Sequence, residues 1–314
     1  MSEFSLFLAH LNDLNNCSIC PRECFADRFS EKLGWCKAGA GFNISSICVH
    51  HGEEPAISGL KGICNVFFSH CNLSCIYCQN WQISSRDENI PTPAMDFDTV
   101  IRQITGLLDD GCHAVGFVSP SHHVPHVKAI IDALRSMNRN PVFVYNTNGY
   151  DRVETLRSLE SYIDIYLPDF KYMDRQMAHN YSGASDYPQV ALAALKEMYR
   201  QKGSVLLTDE NGVAERGMVV RHLVLPGHIE NSLKVLNTIA EEVSVSITIS
   251  LMAQYWPTPN LLNHNKLGRT ILPAEYELVV DEMNRLGFRN GWVQELESHD
   301  HYRPDFNRQH PFEK

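Results

Sequence analysis

Three cysteines crowd the stretch CNLSCIYCQNW, residues 71–81, as Cys71-x3-Cys75-x2-Cys78, with Tyr77 directly before the last. A disulfide framework wants an even number of cysteines, and a structural zinc site wants a fourth ligand. A cube of four irons normally takes four thiolates, so three leave one iron open to a small-molecule ligand. The loop is therefore read as an iron–sulfur site of catalytic type, with zinc or a chance grouping as the competing explanations. A second set, Cys17-x2-Cys20-x3-Cys24-x11-Cys36, follows the grammar of structural zinc. Four thiolates equally suit an auxiliary iron–sulfur cluster, and buried free thiols are the third reading. Residues 15–62 hold few apolar runs, so metal-supported folding is expected there. Cys48, Cys64 and Cys112 lie in or beside apolar segments and read as core thiols.

Composition narrows the setting. The 314 residues are 44% hydrophobic, enough to bury a large core, and the formal net charge of −10 argues against unspecific attraction to nucleic acid. Phe4, Phe7, Leu8, Leu11 and Leu14 sit at helical spacing in place of a basic leader, and no apolar run approaches a membrane span. A soluble, cytoplasmic protein is expected, and in a reducing compartment clustered cysteines are more often metal ligands or catalytic groups than disulfides.

Something must hold the three thiolates in place, and the rest of the chain reads as an α/β fold. Residues 1–62 look irregular and Cys-rich. From residue 63 apolar strands alternate with amphipathic helices: strands at 63–70, 113–118, 141–146, 163–168, 219–226 and 247–252, with a further one at 291–296. Helices are expected around 100–108, 126–137, 152–161, 188–202 and 232–242, and from Pro273 to Gly287, with a hairpin at Asn211-Gly212. Such alternation implies a parallel sheet of about six βα units, open or curled into a partial barrel. The expected division is a Cys-rich segment 1–62, a barrel 63–296 and a polar tail 297–314 packed along the surface.

In such a barrel chemistry gathers where the βα loops converge, at the C-terminal strand ends. Ser119, Ser121, His122 and His123 follow the second strand; Asn146, Thr147 and Asn148 the third; Asp169 and Lys171 the fourth; Gln254 and Tyr255 the sixth. The cysteine loop follows the first strand and opens onto the same rim.

Taken together, FFSHCNLSCIYCQNW, YNTNGY (145–150), LPDFKYMD (167–174) and VRHLVLPG (220–227) resemble the radical S-adenosylmethionine superfamily over residues 60–296, and within it the pyruvate formate-lyase activating enzyme-like branch. CSICPREC with Cys36 is similar to a subgroup of that branch with extra N-terminal cysteines. The resemblance implies a partial (β/α)6 TIM-like barrel and a [4Fe-4S] cluster on Cys71, Cys75 and Cys78. It further implies reductive cleavage of S-adenosylmethionine to a 5′-deoxyadenosyl radical that takes hydrogen from a substrate. Tyr77 is implied near the adenine, and Asp169 and Lys171 as the Asp-x-Lys pair that helps hold S-adenosylmethionine. Arg221, Ser119, Asn146, Thr147 and Gln254 are further cofactor-binding candidates. Implied partners are an electron donor such as flavodoxin or ferredoxin, and a glycyl-radical enzyme or peptide as substrate. The chain departs from the branch in having VSPSHH (118–123) where a Gly-Gly-Glu stretch is common, Asn146 where aspartate precedes Thr-Asn-Gly, and Gln254-Tyr255 where Tyr-His is usual. A small-molecule substrate, or a non-catalytic iron–sulfur carrier or redox sensor on the same fold, are the alternative functions.

Overall fold

A computed structural model of the chain describes residues 5–86, 94–300, 303–308 and 310–312. Among these, one sheet runs in the order β1-β2-β3-β4-β5-β7-β8-β9, with β6 paired to β7. Its strands are β1 (Ile44–His50), β2 (Ile63–Phe68), β3 (Ala114–Val118), β4 (Val142–Thr147), β5 (Ile165–Pro168), β6 (Leu207–Thr208), β7 (Ala214–Leu223), β8 (Thr248–Met252) and β9 (Gly291–Val293). From β2 to β9 every neighbour on that path is parallel. The path does not close on itself, so the expected partial barrel stands as an open α/β sheet.

Apolar alternation explains the layering. Val66, Phe68, Val115, Phe117, Phe143 and Tyr145 face the outer helices, while Ile63, Ala114, Val144, Ile165, Leu167 and Val219 fill the barrel. The helix Phe97–Asp109 starts where Asp96 accepts hydrogen bonds from the backbone of Asp98 and Thr99. Gly116 keeps the barrel passable, because a Cβ there would lie 2.1 Å from Asn65 Oδ1.

Four expectations are corrected. Residues 44–50, read as irregular, form β1, antiparallel to β2, and Pro55–Ser58 is a helical turn. The N-terminal helix, of which Phe4 lies outside the described residues, is 3-10 over Ser5–Asn16. Leu8, Leu11 and Leu14 then share a face, since three residues complete a turn. Residues 15–62, read as having little to bury, do bury Ile19, Ala38, Phe42 and Ile44, and buried Arg28 donates to the carbonyls of Ala38, Gly39 and His122. The polar tail carries Phe306 and Phe312, which pack on Phe67 at ring distances of 5.3 and 5.5 Å, so it lies over the barrel and not merely along the surface.

Buried histidines tie the layers together. His126 Nε2 contacts the Ala40 carbonyl at 2.9 Å, and His222 sits between the Phe170 carbonyl (2.7 Å) and Ser232 Oγ (2.9 Å). Burial pushes His126 down to about 3 and His222 to about 4, from 6.5. A base whose folded value is depressed stabilises fully above its unfolded value and loses that contribution as pH falls from 6.5 toward 4. His222 alone accounts for about 3 kcal/mol between those limits. Urea denaturation midpoints are therefore expected to drop steeply between pH 7 and pH 4.5; a flat profile would contradict the neutral, buried assignment.

Candidate active site

Sequence places Cys71, Cys75 and Cys78 in the loop after β2, and the structure turns all three onto one cavity of about 400 Å³ at the C-terminal ends of the strands. Each sulfur has a polar neighbour. Asn148 Nδ2 donates to Cys71 Sγ at 3.2 Å, Ser84 Oγ to Cys78 Sγ at 3.2 Å, and Ser182 Oγ lies 3.0 Å from Cys75 Sγ. Burial raises Cys71 to about 12 and Cys75 to about 11, and each is pushed further up by a neighbouring thiol. As free groups these two would be neutral. Their donor set becomes anionic only against a compensating cation, which is what an iron–sulfur core provides. The trio therefore fits a cluster.

Tyr77 is buried on the same wall. Its hydroxyl meets Tyr172 at 2.5 Å, Tyr172 reaches Ser182 Oγ at 2.8 Å, and Ser182 contacts Cys75, a continuous polar chain behind the loop. The turn Asn146-Thr147-Asn148-Gly149 ends β4. Gly149 (φ 80°) is required there, because a Cβ would lie 2.3 Å from the Asp169 carbonyl. Thr147 reaches the cavity lining, but its hydroxyl is taken by Asp151 (2.5 Å) and Ser121 (2.9 Å). Ser119 lines the cavity in a left-handed conformation (φ 55°), and Gln254 lines it while accepting from Gln294.

After β5, Asp169 and Lys171 form a 2.5 Å ion pair, both on the cavity. Arg221 of β7 adds a second cation, its Nε 3.3 Å from Asp169 Oδ1. Burial opposes ionisation of Asp169, but Lys171 and Arg221 outweigh it and hold the carboxyl below its usual range. Burial likewise disfavours the Lys171 ammonium, yet the Asp169 carboxylate beside it outweighs this and keeps it above ordinary lysine.

The structure also brings in two residues not singled out from the sequence. Glu53 and Glu54, between β1 and Pro55, reach the same cavity. Glu53 accepts from Arg221 Nη1 (2.8 Å), Asn65 Nδ2 (3.0 Å) and Asn146 Nδ2 (3.2 Å). The only sequence signal was a pair of adjacent acids before a proline, which normally reads as a solvated helix start.

Other rim residues lie elsewhere. His122 and His123 are 1% and 0% exposed, packed beside His126 and Phe68, and do not line the cavity. Burial drives both well below ordinary histidine, so they are neutral packing groups. Cys17, Cys20 and Cys36 are buried and Cys24 is exposed. Burial raises Cys20 to about 12, and the other three thiols push it further the same way. This segment seats against the cluster loop, where Arg22 donates to the Asn72 carbonyl at 2.9 Å. Among the described residues, no group of three or more His, Cys, Asp or Glu converges on a position for a single metal ion, in either cysteine set.

Comparison with known proteins follows this geometry. An uncharacterized protein of Methanocaldococcus jannaschii is 26% identical over 274 residues, covering 86% of this chain and 75% of that one. The crystal structure of Streptococcus suis SuiB bound to S-adenosylmethionine superposes with a TM-score of 0.51 at 14% identity, over 74% of this chain and 50% of SuiB. The chain thus spans about half the length of that neighbour, and the likeness speaks to fold alone. A domain of a pyruvate-formate lyase-activating enzyme from Bacteroides vulgatus matches at a TM-score of only 0.40 and 13% identity, over 55% of this chain and 93% of that domain. No described helix is long and apolar enough to cross a membrane. The model of the Radical SAM superfamily matches residues 65–239, more than half of the chain and the span that carries the cysteine loop and the Asp169–Lys171 pair, and the chain belongs to that superfamily.

Proposed function

We propose that the chain cleaves S-adenosylmethionine reductively and uses the product to abstract hydrogen from a substrate, with Cys71, Cys75 and Cys78 as the three protein ligands of a [4Fe-4S] cluster. The observation that carries this reading is the sharing of one cavity by the three thiols and the Lys171–Asp169–Arg221 network. When bound, the cluster supplies the electron that splits the sulfonium carbon–sulfur bond. The chain's own residues bind, orient and exclude water. An ammonium has three donors; Lys171 uses one on Asp169, so two remain to meet a cofactor carboxylate. Tyr77 offers a buried ring for the adenine, and Ser119, Asn146 and Gln254 border the cavity for polar contacts, while Thr147, its hydroxyl engaged by Asp151 and Ser121, only lines it. Phe67, Met252 and Phe312 give the cavity apolar walls that keep water from a reactive intermediate.

The Asp169-Phe170-Lys171 motif shared with activating enzymes supports a glycine Cα in a partner enzyme as the first substrate reading, with a flavodoxin or ferredoxin as reductant, while Asn146 in place of aspartate before Thr147-Asn148-Gly149 departs from that branch. A peptide or small molecule is the second. The test is anaerobic: reconstituted, dithionite-reduced protein is expected to form 5′-deoxyadenosine and methionine. Protein that holds its cluster and binds S-adenosylmethionine but forms neither product is a carrier or sensor, and the reading fails.

Lys171→Ala is expected to weaken S-adenosylmethionine binding by about 1.5–3 kcal/mol, roughly one to two decades in affinity, with iron content unchanged. Calorimetry on the two reconstituted proteins measures this. Equal affinities would return Lys171 to a structural partner of Asp169.

A further inference from the structure

The cavity holds a carboxylate that the chemistry above does not use. Glu54 is 8% exposed, lines the cavity, and its Oε2 accepts no hydrogen bond. The nearest cation, Arg221 Nη1, is 3.9 Å away and engaged at 2.8 Å by Glu53. Glu53, by contrast, is fully partnered through Arg221, Asn65 and Asn146. Adjacent in sequence, the two acids are thus held in different states: one locked into the barrel wall, the other presenting an unsatisfied oxygen to the cavity. Buried acceptors almost always have a donor, and one without it at the wall of a ligand cavity marks where a ligand's donor belongs.

Charge says what kind of donor. Glu53, Glu54 and Asp169 face Arg221 and Lys171, three acids against two bases, and Lys171 is already paired with Asp169. Counted as ions the five groups are one positive charge short, and burial, helped by the Glu53 charge, accordingly pushes the Glu54 carboxyl above its usual range. A ligand carboxylate at this point would meet Glu53 and Glu54, whereas an ammonium supplies both the missing charge and up to three donors. Ser250 of β8, on the same lining, donates its hydroxyl to the Glu54 carboxylate, which leaves Oε2 as the oxygen still open to a ligand.

We propose that Glu54 is the subsite for a primary ammonium group of a molecule bound in the barrel, with Glu53 and Arg221 fixing its position. This rests on the reading of the cavity as the cofactor and substrate site. The group is assigned to the substrate, because the amine of S-adenosylmethionine would be taken up as a ligand of the open iron, and the experiment separates the two.

Wild-type and Glu54→Gln proteins, both reconstituted and matched for iron content, are titrated calorimetrically with S-adenosylmethionine and with its analogue lacking the α-amine. Equal affinity of the two proteins for S-adenosylmethionine is expected; an at least tenfold loss in Glu54→Gln that the analogue does not share overturns the assignment to the substrate. Otherwise the proteins saturated with S-adenosylmethionine are titrated with n-pentylamine and n-pentanol. A preference of wild type for the amine that Glu54→Gln abolishes assigns it to the substrate. Glutamine keeps the size and a neutral acceptor oxygen but not the charge, so a subsite that needs only a neutral acceptor would survive the substitution, and survival overturns the proposal. So does a wild-type protein that gains nothing from the amine in the second arm. Where Glu54→Gln does not fold, Glu54→Asp, which keeps the charge but withdraws it by one methylene, is expected to weaken the same ammonium contact selectively. Wild-type protein that binds neither iron nor S-adenosylmethionine defeats the parent reading instead, and that outcome is visible before Glu54 is touched.

Discussion

Anaerobically purified protein carrying Cys71→Ala, Cys75→Ala and Cys78→Ala is expected to hold about four fewer irons per chain than wild type and to lose the brown iron–sulfur absorbance, while remaining folded. Folding survives because each substitution removes only a sulfur: Cys71 belongs to the main core and Cys75 packs against it, but the many aliphatic and aromatic side chains of that core stay in place. The difference between the two proteins is the informative quantity. An N-terminal cluster on Cys17, Cys20, Cys24 and Cys36 would add about four irons to both, and zinc there would add about one zinc to both. Either way the triple variant falls short by about four. Unchanged iron, sulfide and spectrum would mean that the loop does not ligate the cluster.

Arg221→Ala is expected to be the most destabilising single substitution in the site, by about 3–5 kcal/mol, because it strips two buried carboxylates of their cation at once. Glu53 and Asp169 depend on Arg221 at 2.8 and 3.3 Å, and the side chains of Arg221 and Glu53 are only 15% and 7% exposed. Asp169 retains Lys171; Glu53 retains only the amides of Asn65 and Asn146. Removing the stranded charge should therefore recover much of the loss, so the double variant Arg221→Met with Glu53→Gln is expected to be more stable than Arg221→Ala alone. Denaturant titrations of the three proteins measure this. A loss below about 1 kcal/mol for Arg221→Ala would place the network in solvent-screened surroundings, where ion pairs contribute little.

Much of the frame was legible along the chain. The strands at 63–68, 114–118 and 248–252 lie within a residue or two of where apolar runs between Gly, Pro and charged punctuation put them. Pro273 and Gly287 marked the ends of a helix for the same local reason, since capping and φ preference act within a few residues. Strand β1 escaped because its sequence, ISSICVH, has two serines and a histidine and no clean alternation; it is stabilised by pairing with β2 more than by its own propensity. The His122–His123 pair was misread for a related reason. Histidines after a strand look like rim chemistry until the N-terminal segment is seen to reach them, Arg28 through the His122 carbonyl and Ala40 through His126, which packs against His123.

What the sequence by itself determined is the chemistry of the centre: three cysteines at x3 and x2 spacing must share one short loop, whatever the rest of the chain does. The strand–helix alternation likewise confined that loop to the C-terminal rim of a parallel sheet. Only the tertiary structure decided which charges face the thiols. Arg221 and Glu53 are 168 residues apart, and Asn146 and Glu53 are 93 apart. Their meeting depends on strand register and on which alternate residue points inward, and a slip of one residue would send each side chain to the opposite face. Local periodicity carries no such information. Two adjacent acids before Pro55 therefore read as an ordinary helix start until the closure of β1 against β2 carried them into the barrel.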